Sequence, residues 1–251
     1  MKLRTIQVTR YVTPLREGGS LPAIVEASDQ GMYVLKFRGA GQGPKVLVAE
    51  LIAGELARAA GLPVPEIVFM ELDAELARTE PDGEIQDLIR ASAGLNLALD
   101  YLPGSVTFDP VADQPDASLA SRIVWFDAFV SNLDRTARNA NMLMWHQQLW
   151  LIDHGAALYF QHGWDGSDRS ADPFTLVKNH VLLKAAASLT EADALMTARI
   201  TPEIIADIVA SVPDAWLPVD ARPAYVQHLA RRLQSPRRFV EEALRARALL
   251  V

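Results

Sequence analysis

Hydrophobic and polar positions alternate through the first part of the chain. Between Thr5 and Val12 the apolar residues Ile6, Val8, Tyr11 and Val12 stand among polar ones, which is the pattern of a strand with one buried face. Ala23 to Ala27 and Met32 to Phe37 predict two more strands, with Asp29-Gln30-Gly31 as the hairpin between them. Gly18-Gly19-Ser20 predicts a turn after the first strand, and the glycine-rich run from Gly39 to Pro44 ends the alternation. The period then changes. Leu47, Leu51, Gly54 and Arg58 carry helical spacing, so a helix is expected from about Lys45 to Ala60, stopped by Gly61. Pro63 and Pro65 open an extended segment, Glu66 to Leu72. Ala74 to Ala93 reads as helical with a turn at Pro81-Asp82-Gly83, and Leu95 to Leu102 as an apolar strand ended by Pro103-Gly104.

Beyond that dipeptide the pattern is mostly helical. Leu119, Ile123, Phe126 and Val130 mark a buried helix stripe that runs into Asn132-Leu133-Asp134. Met142 to Trp145 and Gln148 to Ile152 predict a short hairpin. From Phe174 onward several helices are expected, broken at Pro202, Pro213, Pro218 and Pro223, with an amphipathic surface helix over Ser235 to Leu250. The order predicts an α+β chain of two lobes. A β-rich N-lobe covers residues 1–103 and a mostly helical C-lobe covers residues 104–251.

Bulk properties narrow the class. The chain has 251 residues, half of them apolar, enough to bury a sizeable core. A formal charge of -7 argues against a general nucleic-acid surface. The lack of cysteine excludes disulfides, thiolate zinc sites and cysteine nucleophiles, and accords with a reducing cytosol. No apolar core follows Met1-Lys2-Leu3-Arg4, and no run approaches the roughly 18 uncharged apolar residues of a membrane span. The expectation is a soluble cytoplasmic protein that engages no membrane.

The candidate chemistry lies in Ser131 to Asn141 and in Leu151-Ile152-Asp153-His154-Gly155. Moving a γ-phosphoryl group from ATP to a hydroxyl needs one carboxylate at the attacking hydroxyl. It also needs oxygen ligands that hold hard cations against the phosphates. Asp134 is the candidate for the first task, against the commoner role of an Asp in an Asx turn. Asn139, five residues on, and Asp153 are candidates for the second. Asn141 is either a second ligand or a loop brace, and bracing is favoured. Arg135 pairs with a phosphate, holds the loop, or makes a surface ion pair. Gly155 allows the backbone after Asp153 a conformation closed to other residues. His154 is read as a packed or hydrogen-bonded side chain rather than a substrate contact.

Lys36 lies in the apolar run Val34-Leu35-Lys36-Phe37. It is either a solvent-facing strand residue or the lysine that grips the phosphates. A gripping lysine needs a carboxylate to position it. Glu50 on the next helix has the better place, with Glu55 in reserve. Gly18, Gly19 and Ser20 could bring backbone N–H groups onto phosphates or form an ordinary hairpin. Asp100, Tyr101 and Leu102, at the end of the apolar strand, are further candidate cofactor-binding residues. A dinucleotide fingerprint at Gly39-Ala40-Gly41-Gln42-Gly43 fails because Pro44 occupies the place of the last glycine. The histidines His146, His154 and His162 are eight apart, which fits no short zinc motif.

In this order, the Gly-Gly-Ser turn, Lys36, Glu50, Asp134-Arg135 with Asn139, and Ile152-Asp153-His154-Gly155 resemble the HipA-like kinases. Lys36-Phe37-Arg38-Gly39 and the runs around Ala49-Glu50-Leu51 and Gly61 to Glu66 resemble a compact bacterial branch of that family. The likeness to the phosphatidylinositol 3- and 4-kinases is more distant. The resemblance implies a two-lobed protein-kinase-like fold with ATP and Mg²⁺ in its cleft. It also implies a catalytic Asp134 and metal ligands Asn139 and Asp153. Asn132-Leu133 stands where a His-Arg pair would precede the Asp, His154 replaces a Phe, and no Ala-Pro-Glu segment comes after it. These departures set the chain apart from eukaryotic protein kinases and leave the phosphoacceptor, protein or small molecule, open. The chain has no room for the extra N-terminal subdomain of HipA toxins, so a toxin role is not expected. An ATP-dependent phosphotransferase, most simply of Ser/Thr type, is the leading expectation. A nucleotide-binding pseudokinase with a scaffolding role is the alternative, and a non-kinase binding protein the third.

Overall fold

The alternation over residues 5–14, 23–27 and 32–36 becomes a barrel wall, and the barrel decides which way Lys36 points. The structure is a computed structural model that describes residues 3–15, 21–41, 43–164 and 166–250. Its first half contains β1 (Thr5–Pro14), β2 (Ala23–Ala27), β3 (Met32–Lys36), α1 (Pro44–Ala59), β4 (Ile67–Leu72), α2 (Gly83–Ala91) and β5 (Gly94–Asp100). The five strands close in the order β1-β2-β3-β5-β4, with β1 and β4 parallel and the other pairs antiparallel. Tyr33 and Leu35 of β3 enter the barrel core with Val25 and Ala98. Successive strand side chains face opposite ways, so Lys36 faces outward to α1. Its register partner Leu97 belongs to the core that α1 shares. The turn expected at Gly18-Gly19-Ser20 lies outside the described residues.

Every residue of α1 from Leu47 to Ala57 is buried. A helix covered all round shows no single apolar stripe, which is why its sequence period is faint. Pro44 sits in the first turn, where a missing N–H leaves no bond unmade. Gly61, at φ +74°, takes the left-handed turn that ends the segment. Both ends are tied to the helical half. Lys45 Nζ donates to the Gln161 carbonyl at 2.8 Å, and Arg199 Nη1 donates to the Ala60 carbonyl at 2.7 Å. A Cβ on Gly54 would stand 2.4 Å from Ile67 Cδ1, so any larger residue there would force the Ile67 side chain to shift.

The second half holds β6 (Val106–Thr107), α3 (Ala117–Val130), β7 (Met142–Trp145), β8 (Gln148–Leu151), α4 (Leu189–Arg199), α5 (Pro202–Ala210), α6 (Arg222–Arg232) and α7 (Arg238–Ala248). β6, β7 and β8 form a small separate sheet. The helix breaks expected at Pro202 and Pro223 fall at helix starts: Pro202 opens α5 behind the Thr201 cap, and Pro223 lies in the first turn of α6. The segment after Ala74 splits into a 3₁₀ helix, Ala74–Thr79, and α2, each started by an aspartate cap. The amphipathic tail packs one face inward: Phe239 of α7 meets Trp125 of α3 edge-on with ring centroids 5.3 Å apart. No helix among the described residues is long and apolar enough to cross a membrane.

Candidate active site

The segment with Asp134 begins where α3 ends. Ser131 adopts φ 53° and ψ 51°, and the N–H groups of Ser131 and Asn132 bond back to the carbonyls of Ala128 and Asp127. This double closure is a Schellman turn with serine in the place usually taken by glycine, and it swings the chain out of the helix. The Asp127 carboxylate organises the loop beyond it. Oδ1 accepts Asn132 Nδ2 at 2.9 Å, while Oδ2 accepts Arg135 Nε at 2.5 Å and meets His180 Nε2 at 2.9 Å. Asn132 Oδ1 in turn accepts the Asp134 N–H at 3.2 Å. Burial pushes the Asp127 carboxyl up, but Arg135 and His180 outweigh it and hold it far below the ordinary range.

Of the three readings of Arg135, a candidate catalytic residue, the geometry fits the one in which it holds the loop. Its side chain is buried against Asp127, and Nη1 donates to the Asn141 carbonyl at 2.5 Å. It holds the loop from inside and does not face the cleft. Removing one partner of such a pair strands a buried charge. Asp127→Asn should therefore cost about 3–5 kcal/mol of stability by urea denaturation. A cost under about 1 kcal/mol would mean that Arg135 finds another acceptor.

Asn139, a candidate cation ligand, lies on a turn. Thr136 and Asn139 bond to each other through both backbone groups, closing a tight turn over Ala137 and Arg138. Asn139 is exposed at the end of this turn, and its side chain makes no hydrogen bond to any described residue. Asn141, with φ 47°, is the residue beside Asp153: Nδ2 donates to the Asp153 carbonyl at 3.4 Å, and the Asn141 carbonyl accepts the Ile152 N–H. This leaves Asn141 Oδ1 available as an oxygen ligand. Bracing and ligation, the two readings of Asn141, are thus compatible.

Asp153 comes directly after β8 and Ile152, and itself adopts φ 55°. Its side chain is 48% exposed, and Oδ1 accepts Lys36 Nζ at 2.6 Å. Lys36 Nζ also donates to Glu50 Oε2 at 2.5 Å, so the lysine is shared by two carboxylates. An unliganded form with this pair apart was conceivable because such a helix can swing, but α1 is tied at both ends and the pair is closed. Burial lowers the Lys36 ammonium, yet Glu50 and Asp153 raise it well above its ordinary value. Burial pushes Glu50 up, while Lys36 and His154 bring it down to about 2. Glu55 takes no part, since its carboxylate pairs with Arg58 at 2.8 Å. Gly155 is glycine for space and not for its backbone angle: a Cβ there would meet Val46 Cγ1 at 2.7 Å.

Asp134 is exposed. Burial of part of its surface and the charge of Asp153 raise its carboxyl above the ordinary value, with Arg135 opposing. The two carboxylates therefore feel one another across the cleft. Of the other candidates, Gly18, Gly19 and Ser20 lie outside the described residues. The Asp100 side chain shares the Tyr33 face of the sheet, away from Lys36, and burial, with Glu66 next, raises its carboxyl above the ordinary value against Arg4. Only its backbone can serve a ligand on the Lys36 side. Tyr101 donates its N–H to the Met32 carbonyl, and Leu102 is buried. Sequence reasoning missed Asp127, Asn132 and His180. A carboxylate inside the apolar stripe of α3 was a visible signal, but nothing local marks His180, 53 residues further on.

The donor set suits a hard cation. Asp153, Asn141 and Asp134 offer carboxylate and amide oxygens, and among the described residues no group of three or more acidic or histidine side chains forms a closed metal cage. Mg²⁺ is commonly held this way, by one or two carboxylates together with substrate phosphates.

A family model described as a HipA-like kinase matches residues 8–242. In fold the chain is similar to the Helicobacter pylori proinflammatory kinase CtkA, at 12% identity and a TM-score of 0.56, over 100% of this chain and 99% of that one. It is also similar to the Golgi casein kinase with Mn and ADP bound, at 12% identity and a TM-score of 0.56, over 97% of this chain and 73% of that one. A further structure of the Golgi casein kinase gives a TM-score of 0.53 at 12% identity, over 97% and 72% of the two chains. No curated protein matches the chain.

Proposed function

The chain belongs to the HipA-like kinase family, and we propose that it passes the γ-phosphoryl of Mg-ATP to a hydroxyl of a protein or small molecule through the cleft around Asp134. One observation carries the assignment of residues: Lys36 Nζ held at 2.5 Å from Glu50 and 2.6 Å from Asp153. A strand lysine fixed by a helix carboxylate is the phosphate grip of kinases. On nucleotide entry the phosphates replace Asp153 as the second partner of Lys36, while Glu50 keeps its hold. Asp153 and Asn141 then face the cation, with Asn141 in the place first given to Asn139. Bound Mg²⁺ supplies positive charge against the phosphate oxygens.

Asp134 orients the acceptor hydroxyl and takes its proton as the new O–P bond forms and the bond to the ADP oxygen breaks. We place the lobes at 1–103 and 104–251, and the protein in the cytoplasm. The Mn and ADP of the Golgi casein kinase support the use of a nucleotide with a divalent cation. The deciding experiment traces label from γ-labelled ATP to the protein itself and to trial acceptors. Transfer supports the kinase reading; tight Mg-ATP binding with no transfer supports the pseudokinase.

Asp153→Asn tests the cation site. At a hundredfold excess over Kd, nucleotide binding adds about 2.7 kcal/mol to stability. The variant should keep about half of that gain or less in Mg-ATP, with its unliganded melting temperature near wild type. Equal stabilisation of both proteins removes Asp153 from the metal site.

A further inference from the structure

Glu50 is fully buried, yet only one of its oxygens has an ordinary hydrogen bond. Oε2 accepts Lys36. Oε1 has no such partner, and the group facing it is His154 Nδ1, at 3.5 Å. His154 is buried as well, and neither ring nitrogen bonds to anything else. A buried charged oxygen and a buried ring N–H left apart would each carry a desolvation cost, which pairing with one another would relieve. The ring packs edge-on to Phe126 of α3, with centroids 6.3 Å apart. A phenyl ring would fill the same space. What the imidazole adds is a donor aimed at Glu50.

We propose that His154 is a positioning residue for the phosphate-gripping lysine: its Nδ1–H holds Glu50 Oε1 and so keeps Oε2 turned to Lys36. This rests on the kinase reading above. The contact matters most when nucleotide arrives. Lys36 then gives up Asp153, and Glu50 becomes its sole protein partner. A carboxylate held at one oxygen can rotate; one held at both cannot. Because His154 is the residue next to Asp153, the same contact ties the end of β8 to α1.

Side-chain geometry supplies the test. His154→Phe keeps the ring and removes the donor. His154→Asn places an amide nitrogen near the position of Nδ1, whereas His154→Gln places it near that of Nε2. The Phe and Gln variants should lose roughly tenfold or more in kcat/KM for ATP, the scale of one hydrogen bond to a charged group. Their KM for the acceptor should change little, and the Asn variant should recover most of the loss. A Phe variant equal to wild type, or an Asn variant as poor as Phe, overturns the proposal. Should the variants not fold, nitrogen NMR of the wild-type imidazole decides: a proton on Nδ1 is expected, and a proton on Nε2 alone overturns the contact. Wild-type protein that transfers no phosphate to any acceptor sinks the kinase reading instead, and the tautomer measurement does not depend on that result.

Discussion

Lys36→Met should lower kcat/KM for ATP by about a hundredfold or more, the usual loss when one preorganised donor to developing charge is removed. The substitution keeps much of the apolar stem on β3 and deletes the ammonium that joins Glu50 to Asp153. Burial produces a second effect. In the wild type Lys36 and His154 hold Glu50 at about 2 against burial, below the ordinary 4.5. Its contribution to stability is therefore complete above pH 4.5 and is lost as pH falls toward 2. Without Lys36 the upward push of burial is largely uncompensated. The folded carboxyl then lies above its unfolded value, and charging it costs stability as pH rises through that higher value. The variant should accordingly become less stable relative to wild type between about pH 4.5 and about pH 7. Urea denaturation at the two pH values reads this difference, and steady-state kinetics at saturating acceptor reads the first. Unchanged kinetics would separate Lys36 from the phosphates.

The parts of the site that obey strand and helix periodicity were legible, and the parts set by packing were not. Lys36 and Glu50 lie on consecutive elements, and their meeting needs only that β3 turn Lys36 toward α1. Glu55 could have been set aside from geometry alone. Five residues along a helix is about 140° around it, so Glu50 and Glu55 cannot both face one lysine. The spacing of Asp134 to Asn139 counts residues along the chain and does not fix which side chain lies beside Asp153. Ala137 and Arg138 form the tip of a tight turn, and the excursion carries Asn139 outward while Asn141 arrives beside Asp153. Arg135 is adjacent to Asp134 and still faces the interior, because Asp127 and the Asn141 carbonyl capture its guanidinium. Both partners lie within eight residues of Arg135, but only the turn of the chain after α3 decides that the side chain meets them inside the loop.

Asp134→Ala should bind Mg-ATP nearly as well as wild type and turn over more slowly by roughly 10²- to 10⁴-fold, the range for a positioned acid–base group. Asp134 is exposed, and its loop is held by contacts that the substitution leaves in place: the Asn132 side chain bonds its backbone N–H, and Asp127 bonds Asn132. The fold should survive, and the loss should fall on the transition state rather than on ground-state binding. The pH profile adds a sign. Activity needs the ionised carboxylate, and partial burial and the Asp153 charge place its titration above the ordinary 3.8. The acid limb of kcat/KM, which reports the free enzyme, should therefore lie above 3.8. The limb of kcat should lie lower, because a cation at Asp153 cancels the charge that raised Asp134. In Asp153→Asn the free-enzyme limb should fall for the same reason. Calorimetry for nucleotide affinity and turnover with labelled ATP together decide the matter. An Asp134→Ala variant that loses nucleotide affinity yet keeps full turnover at saturating ATP would show that Asp134 serves the nucleotide and not the acceptor hydroxyl.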